Sequence, residues 1–300
     1  MKKLVLLIAV LLVSHTSARA QFTFKSFDYP GAVITRVYGI NNLGVMVGTY
    51  RLPGDTAHAM MVKGGKFIPL APTTILATNW SQAFKINDSG DIVGWVSEDD
   101  GFLHTFLLRK GVLMLLDFPG ASDTQASGIN NLGTIAGLWD LVDDQGNFLY
   151  AGGFTWKSGN FTDVVFPGAG DTYVYGINDA GDLTGKWDTG PTAATASGFV
   201  FSHGRFITFD APFPEVLVTQ GDDISNAGNI VGQYMDDITY HGFRKVGNTF
   251  TSIDYPGAAG TTAWGINSVG QMVGNSWSDP NNILGTTHGW LATPNNQNQQ

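Results

Sequence analysis

The chain repeats one short pattern of hydrophobic and polar positions six times. Its first copy, GINNLGVMVG, spans residues 39–48 and alternates apolar and polar positions on both sides of a tight turn. Alternation with a period of two predicts β-strands, and an Asn-x-x-Gly turn between two such runs predicts a hairpin. The turn position of the six copies is held, in chain order, by Asn41, Asn87, Asn130, Asn178, Ser225 and Asn267. We number the units one to six by these positions, whose intervals of 42 to 48 residues are typical of a repeat architecture.

Each unit predicts four strands, which we call a to d. In unit 1 they cover residues 35–41, 45–50, 58–62 and 67–70, and a Pro-containing turn then opens unit 2. Four antiparallel strands in about 45 residues are the signature of one β-propeller blade. The sequence therefore predicts an all-β fold, a six-bladed β-propeller with four antiparallel strands per blade. An open β-solenoid of the same units is the structural alternative.

The last unit lacks a fourth strand, and the start of the chain offers one. After strand c at residues 288–292, only TPNNQNQQ follows. Residues 22–28, FTFKSFD, closely match strand d of unit 5, TFTSID at 249–254. We expect this N-terminal segment to complete the last blade and close the ring, which would leave no open sheet edge. The predicted domain is thus 21–292, with 293–300 as a disordered tail.

The first twenty residues have the features of a secretory signal peptide. Lys2 and Lys3 precede an apolar run over 4–13, and Ala-Arg-Ala at 18–20 fits a cleavage site. The run is too short to span a bilayer. We therefore expect a secreted protein, extracellular or periplasmic, without a membrane span and monomeric.

Composition narrows the possible partners. The formal net charge is −9, and it becomes −12 without the three cationic residues of the predicted signal. An acidic surface repels phosphate backbones, which argues against nucleic acid as a partner. The chain has 39 Gly and no Cys, so the predicted fold is rich in turns and has no disulfides.

The units resemble the HAF repeat of exported bacterial proteins, which is named after a His-Ala-Phe element in strand c. Four units carry that element, as His58-Ala59-Met60, His104-Thr105-Phe106, His241-Gly242-Phe243 and His288-Gly289-Trp290. Units 3 and 4 depart from it, with Gly-Gly-Phe at 152–154 and Ser-Gly-Phe at 197–199. The resemblance covers the whole mature chain. It implies a repeat fold and export, and it implies no established activity.

The four repeated histidines suggest a metal site at first, but their placement argues against one. They occupy the same position of strand c in different blades, about 10 Å outside strand a, so they cannot converge on one ion. We expect each to make a hydrogen bond that repeats between blades. The turns NDSGD (87–91) and NDAGD (178–182) suggest calcium loops, but they lack the spacing of an EF-hand. We predict no cofactor, and calcium binding by these turns is the alternative.

Strand a supplies the first set of candidate binding residues. Its first position always carries a hydroxyl, which indicates a structural hydrogen bond: Thr35, Ser81, Thr124, Thr172, Thr219 and Thr261. The next position is polar and differs between units: Arg36, Gln82, Gln125, Tyr173, Gln220 and Thr262. Different residues at equivalent positions are how a symmetric ring makes an asymmetric site. We predict binding at these channel positions, with a merely polar, water-filled channel as the alternative.

The long loops between strands b and c supply the second set, which contains Trp95, Trp139, Asp140, Trp187, Asp188 and Trp277. Function tends to lie on such loops over a rigid scaffold, and aromatic faces near carboxylates suit sugar rings. Packing between blades is the competing interpretation. It is favoured for four aromatics at one common offset: Tyr50, Trp139, Trp187 and Tyr234.

These features predict a binding or interaction module for an extracellular ligand, with polysaccharide as the leading candidate. The chain has no Cys nucleophile, G-x-S-x-G elbow or HExxH motif, so enzyme activity is not indicated. One alternative is a carbohydrate-active hydrolase or lyase that uses loop aspartates, which form adjacent pairs at 99–100, 143–144 and 236–237. Another is a structural surface or matrix protein.

Overall fold

The computed structural model describes residues 22–70, 75–76, 79–279 and 286–295. The predicted signal peptide, 1–20, and residues 296–300 of the predicted tail lie outside this part.

The a-strands are β2 (Ile34–Ile40), β6 (Ser81–Ile86), β10 (Asp123–Ile129), β14 (Asp171–Ile177), β18 (Val218–Ile224) and β22 (Gly260–Ile266). The b-strands are β3 (Met46–Arg51), β7 (Ile92–Ser97), β11 (Ile135–Val142), β15 (Leu183–Asp188), β19 (Ile230–Met235) and β23 (Met272–Trp277). The c-strands are β4 (Ala57–Lys63), β8 (Leu103–Arg109), β12 (Phe148–Lys157), β16 (Ser197–Ser202), β20 (Tyr240–Val246) and β24 (Thr287–Pro294). The outer strands are β5 (Lys66–Pro69), β9 (Val112–Leu116), β13 (Asn160–Val164), β17 (Arg205–Phe209), β21 (Thr249–Ile253) and β1 (Phe22–Phe27).

The strands pair in the order a-b-c-d. Units 2 to 5 each form a separate four-stranded antiparallel sheet. The strands of units 1 and 6 belong to one eight-stranded sheet, whose two antiparallel halves meet at a single parallel bridge between Ile34 and Thr287. The sequence predicts six blades of four strands, whereas the structure shows four such sheets and this eight-stranded one. The bridge forms because β1 is paired with β24, and a short connection from β1 then sets the start of β2 beside β24.

The first strand lies on the outer edge of the last sheet. β1 pairs antiparallel with β24, in a register that runs from Phe22 opposite Pro294 to Phe27 opposite Gly289. β24 continues to Pro294, two residues beyond the predicted domain end at 292. The terminal segments of the chain therefore share a ladder of backbone hydrogen bonds.

Every a-strand contains a β-bulge at the same place. In unit 1 the register shifts between Val37 and Gly39, so Tyr38 is the extra residue, and the other units repeat this shift. The bulge residues are Tyr38, Phe84, Ser127, Tyr175, Asp222 and Trp264. A bulge re-aims a side chain, and three of these residues, Tyr38, Tyr175 and Trp264, line the cavity described below. The b-strand must carry glycine opposite the bulge, because the two strands approach each other closely there. A Cβ at Gly48 would lie 1.9 Å from the Arg36 carbonyl oxygen.

The turn asparagines tie neighbouring units together. The Asn41 side-chain oxygen accepts the Val45 N–H, which closes its own hairpin. Its Nδ2 donates to the backbone oxygen of Asn87 in the next unit at 3.0 Å. The same link repeats along the chain, and Asn267 donates back to the Asn41 oxygen at 3.3 Å. Only the step from unit 5 lacks such an amide, because Ser225 has none. The six turns, which we call the asparagine circle, are therefore linked by these bonds at five of six steps, a role beyond the hairpin role that the sequence predicts.

The core lies between the sheets. Each c-strand buries one large side chain completely, at the third position of the HAF-like element: Met60, Phe106, Phe154, Phe199, Phe243 and Trp290. Full burial of a side chain of this size stabilises the fold by about 1.5–3 kcal/mol. The described residues contain no helix long and apolar enough to cross a membrane.

The hydroxyl predicted at the start of strand a makes the expected hydrogen bond. In five units it accepts the backbone N–H six to eight residues earlier, as Thr35 does from Tyr29 at 2.9 Å. In unit 2 the Ser81 hydroxyl accepts the Ala59 N–H at 3.0 Å instead. In those five units the bond fixes the turn that opens the unit, whereas in unit 2 it links strand β6 to β4 of unit 1.

Candidate ligand site at one end of the channel

A cavity of about 350 Å³ lies at the end of the channel opposite the asparagine circle. It is built from units 4, 5, 6 and 1. Its lining combines aromatic rings with amides, hydroxyls and two cations: Arg36, Tyr38, Tyr175, Lys186, Val218, Gln220, Gln233, Tyr240, Thr262, Trp264, Asn275, Trp277 and Thr287. Ligand sites are typically cavities of at least about 300 Å³ with a few placed polar groups, which this cavity matches.

The predicted channel positions divide into two groups. Arg36, Gln220 and Thr262 line the cavity. Gln82, Gln125 and Tyr173 are absent from its lining. The Tyr173 ring instead lies under the Lys186 ammonium, 4.5 Å from its centroid, and thereby supports a lining residue.

Stacked aromatic rings fill the channel on the side of unit 2. Phe84 stacks on Tyr38 with ring centroids 4.5 Å apart, and Trp95 stacks on Phe84 at 4.5 Å. The Trp95 Nε1–H donates to the Ala126 carbonyl at 2.8 Å. Trp264 meets Tyr38 edge-on at 5.4 Å. Trp95, a predicted binding residue, therefore packs behind the aromatic wall and does not line the cavity.

A buried ion pair spans the channel below this wall. The Lys85 ammonium lies 3.2 Å from an Asp223 carboxylate oxygen, and the two side chains are 6% and 13% exposed. Lys85 also donates to the Tyr38 and Trp264 carbonyls. Asp223 accepts the Ile266 N–H at 3.0 Å. The pair thus joins units 1, 2, 5 and 6.

Sequence reasoning missed this pair, although a signal for it exists. Four units begin the turn motif with Gly-Ile, whereas unit 2 reads Lys85-Ile86 and unit 5 reads Asp223-Ile224. The channel is too narrow here for more side chains, since a Cβ at Gly39 would lie 2.7 Å from the Phe84 carbonyl oxygen. The two positions that carry another residue in place of glycine, Lys85 and Asp223, therefore form one pair of opposite charges between units 2 and 5.

Carboxylates surround the inner end of Lys186. Burial raises the pKa of Asp222 well above its usual range, although a hydrogen bond from Gln220 opposes the shift. Burial likewise raises the pKa of Asp171. Burial lowers the pKa of Lys186, whereas Asp188, Asp222 and Asp171 raise it. Burial thus shifts the Asp222 and Asp171 carboxyls and the Lys186 ammonium toward their neutral forms, and the nearby carboxylates oppose that shift at Lys186.

The loop aromatics at the common offset pack as the competing interpretation predicts. Each stacks on an aromatic residue from the turn that opens its own unit. Trp139 stacks on Phe118 at 4.8 Å, and Trp187 on Phe166 at 4.3 Å. The other two pairs are Tyr50 on Tyr29 and Tyr234 on Phe213. The structure therefore assigns Trp139 and Trp187 a packing role, and neither lines the cavity.

Trp277 both packs and lines the cavity. It is 4% exposed, and a Cβ at Gly260 would lie 2.3 Å from its ring. It closes the cavity on the side of unit 6. Of the six predicted loop residues, only this one belongs to the cavity.

The predicted loop aspartates accept hydrogen bonds from the backbone or are buried away from the cavity. Asp188 accepts the Gly190 N–H at 2.9 Å. Asp140 is 9% exposed, and burial with the nearby charge of Asp123 raises its pKa to about 6. In the adjacent Asp pairs, the first or second member accepts loop N–H groups, as Asp143 does from Gln145 and Asn147. These carboxylates stabilise loops.

Three of the four repeated histidines make the predicted recurring hydrogen bond. Nδ1 of His104, His241 and His288 lies 2.7–3.0 Å from a carboxylate oxygen of Asp117, Asp254 and Asp28, respectively. Each of these aspartates follows the outer strand of the same sheet. His58 differs, because its nearby acid is Asp55 of the loop. Among the described residues, no group of three His, Asp or Glu side chains could hold a metal ion.

Solved structures share this arrangement of sheets. The lectin of Aleuria aurantia, a six-bladed β-propeller with a novel fucose recognition mode, is 10% identical with a TM-score of 0.52, over 89% of this chain and 93% of the lectin. An arginine-to-alanine mutant of AofleA from Arthrobotrys oligospora is 11% identical with a TM-score of 0.54, over 90% and 86%. A Dyadobacter fermentans protein of unknown function is 9% identical with a TM-score of 0.55, over 92% and 98%.

At these identities the likeness establishes the fold alone, and this chain is a β-propeller. The sequence matches no protein-family model and no curated protein.

Proposed function

We propose that the protein is an exported saccharide-binding β-propeller of the HAF-repeat type, with its ligand in the channel-end cavity. In this proposal the ring has six blades. The eight-stranded sheet counts as two blades joined by one bridge, and β1 completes the last of them. Export rests on the signal-peptide pattern of residues 1–20.

The observation that carries the proposal is the mixed chemistry of the cavity lining. The rings of Tyr240, Trp264 and Trp277 offer apolar faces, and Gln220 and Gln233 offer amide groups. The C–H faces of a pyranose pack on aromatic rings, while its hydroxyls exchange hydrogen bonds with amides. The Aleuria aurantia lectin recognises fucose on the same fold, which supports a sugar as the ligand class.

The cavity is closed at its inner end. The Lys85–Asp223 pair and the stacked rings of Tyr38 and Phe84 block the channel below it. A ligand would therefore enter and leave from the loop end only. A volume of about 350 Å³ suits one or two sugar rings, such as the end of a polysaccharide chain.

Titration calorimetry of the mature chain with a panel of methyl glycosides and short oligosaccharides tests the proposal. We expect saturable binding by at least one sugar. Tyr240→Ala should weaken it about tenfold, because an aromatic contact of about 1 kcal/mol and buried ring area are lost.

Tyr150→Ala is the matched control, since Tyr150 packs against Trp139 outside the cavity and should leave affinity unchanged. Absence of binding across the panel, or equal effects of the two tyrosine variants, would overturn the proposal.

A further inference from the structure

The cavity has an unusual charge for this protein. The sequence contains 25 acidic and 16 basic residues. Yet the only charged side chains among the described lining residues are Arg36 and Lys186, both cationic. None of the described lining residues carries a carboxylate.

Lys186 lines the cavity, and burial lowers the pKa of its ammonium although nearby carboxylates oppose that shift. Its ammonium lies over the Tyr173 ring at 4.5 Å. Within the described parts of the chain, no carboxylate oxygen lies within ion-pair distance of it. In the register of the sheet, Lys186 of β15 lies opposite Tyr173 of β14. It therefore lies at the same height along the channel as the varied polar positions of the a-strands.

Arg36 lies on the facing side. Units 1 and 4 are three apart, so Arg36 and Lys186 face each other across a ring of six. The Arg36 Nε–H donates to the Thr287 hydroxyl at 3.4 Å, which orients the guanidinium at the cavity wall. A ligand between units 1 and 4 would thus lie between two positive groups.

The acids nearest Lys186 lie outside the cavity lining. Asp222 is 1% exposed, and burial raises its pKa. Burial also raises the pKa of Asp171. The Asp188 Oδ1 accepts the Gly190 N–H. The described lining residues therefore present two basic side chains and no acidic one, in an otherwise acidic molecule.

We propose that the cavity selects pyranoses that carry a carboxylate, with Lys186 as the main partner of that carboxylate and Arg36 as the second. This inference rests on the proposed function, since it names the ligand class of the same cavity. A hydrogen bond to a charged group is stronger than one between neutral groups, and a dry cavity strengthens it further. The remaining hydroxyls and the sugar face would use the amides and rings of the lining.

Binding of matched ligands to the unmodified mature chain is the first test. The methyl glycosides of glucose, glucuronate and the glucuronate methyl ester share one shape and differ in charge. We expect glucuronate to bind at least about tenfold more tightly than the other two. Galacturonate and N-acetylneuraminate in parallel distinguish hexuronates from sialic acids as the source of the carboxylate.

Variants then locate the preference. Lys186→Gln should reduce glucuronate affinity about tenfold, and it should reduce the affinity for methyl glucoside less. Arg36→Gln should reduce glucuronate affinity by less than Lys186→Gln does. Lys157→Gln is the control, because it removes the same charge at an exposed position of β12.

The outcomes distinguish a failure of this inference from a failure of the proposed function on which it rests. If no sugar binds, the proposed function fails. If neutral sugars bind and the acid and its ester bind equally, saccharide binding holds and the carboxylate inference is wrong. The inference also fails if the acid preference survives in both Lys186→Gln and Arg36→Gln. Far-UV circular dichroism checks the fold of each variant, and the ester comparison needs no variant.

Discussion

Removing one member of the Lys85–Asp223 pair should destabilise the protein far more than removing an exposed pair does. The two side chains are 6% and 13% exposed, so Lys85→Met leaves the Asp223 carboxylate buried without its cation. Loss of one partner from a buried pair costs about 3–5 kcal/mol. Asp223→Asn leaves the ammonium with neutral oxygen partners, among them the Tyr38 and Trp264 carbonyls, which should bring its cost to the lower end, about 3 kcal/mol.

The double variant separates the ion pair from other effects. Asn keeps an oxygen for the Ile266 N–H, so Lys85→Met with Asp223→Asn removes both charges and leaves that bond in place. We expect its cost to fall short of the sum of the single costs by at least about 2 kcal/mol, because contacting charges are coupled. Urea unfolding at neutral pH, followed by tryptophan fluorescence, measures the four free energies of unfolding.

The pair Arg109–Asp91 is the matched control. Its atoms are 2.8 Å apart, but the Arg109 side chain is 39% exposed, so the same cycle should give about 1 kcal/mol or less. If the Lys85 and Asp223 costs simply add, or if the two cycles give the same coupling, the buried bridge does not hold units 2 and 5 together as argued.

Three further predictions concern the ends of the chain and two titrating groups. Removing residues 22–27 should abolish soluble monomeric expression, because the deletion exposes the edge of β24, and a stable monomeric deletion would refute this account of β1. Burial opposes protonation of His104, but hydrogen bonds to Asp117 and Asp100 outweigh it and raise its pKa above 6.5. The interaction of His104 with these carboxylates therefore stabilises the fold fully below pH 6.5, and this stabilisation is lost as pH rises through the pKa of the folded state. His104→Gln should thus cost more stability at about pH 5.5 than at about pH 8.5. Equal costs at the two pH values would contradict this. Asp140 has a folded pKa of about 6 against 3.8 unfolded, so its ionisation should destabilise the wild type as pH rises between these values. The stability of Asp140→Asn relative to the wild type should therefore rise by about 1 kcal/mol between pH 4 and pH 8. A variant with the stability of the wild type at both pH values would contradict this.

The repeat itself was readable from the sequence because its physical causes are local. The alternation along strands a to d, the Asn-x-x-Gly turns and the buried third position of the HAF-like element each depend on residues close in the chain. The same holds for the hydroxyl of Thr35, whose partner lies six residues away. The match between residues 22–28 and 249–254 also located the strand that pairs with β24, because equivalent strands carry equivalent patterns.

Tertiary structure decided everything that depends on contacts across the ring. Trp139 and Trp95 are both candidate binding residues in the sequence, but one stacks on a turn residue of its own unit and the other stacks on Phe84 behind the aromatic wall. The Lys85–Asp223 pair joins residues that the chain separates by three units, so only the tertiary arrangement of the sheets brings them within 3.2 Å. The cavity likewise needs four units at once. A single sequence gives the strands of each unit because they are local, whereas the site forms from distant positions that meet only around the channel.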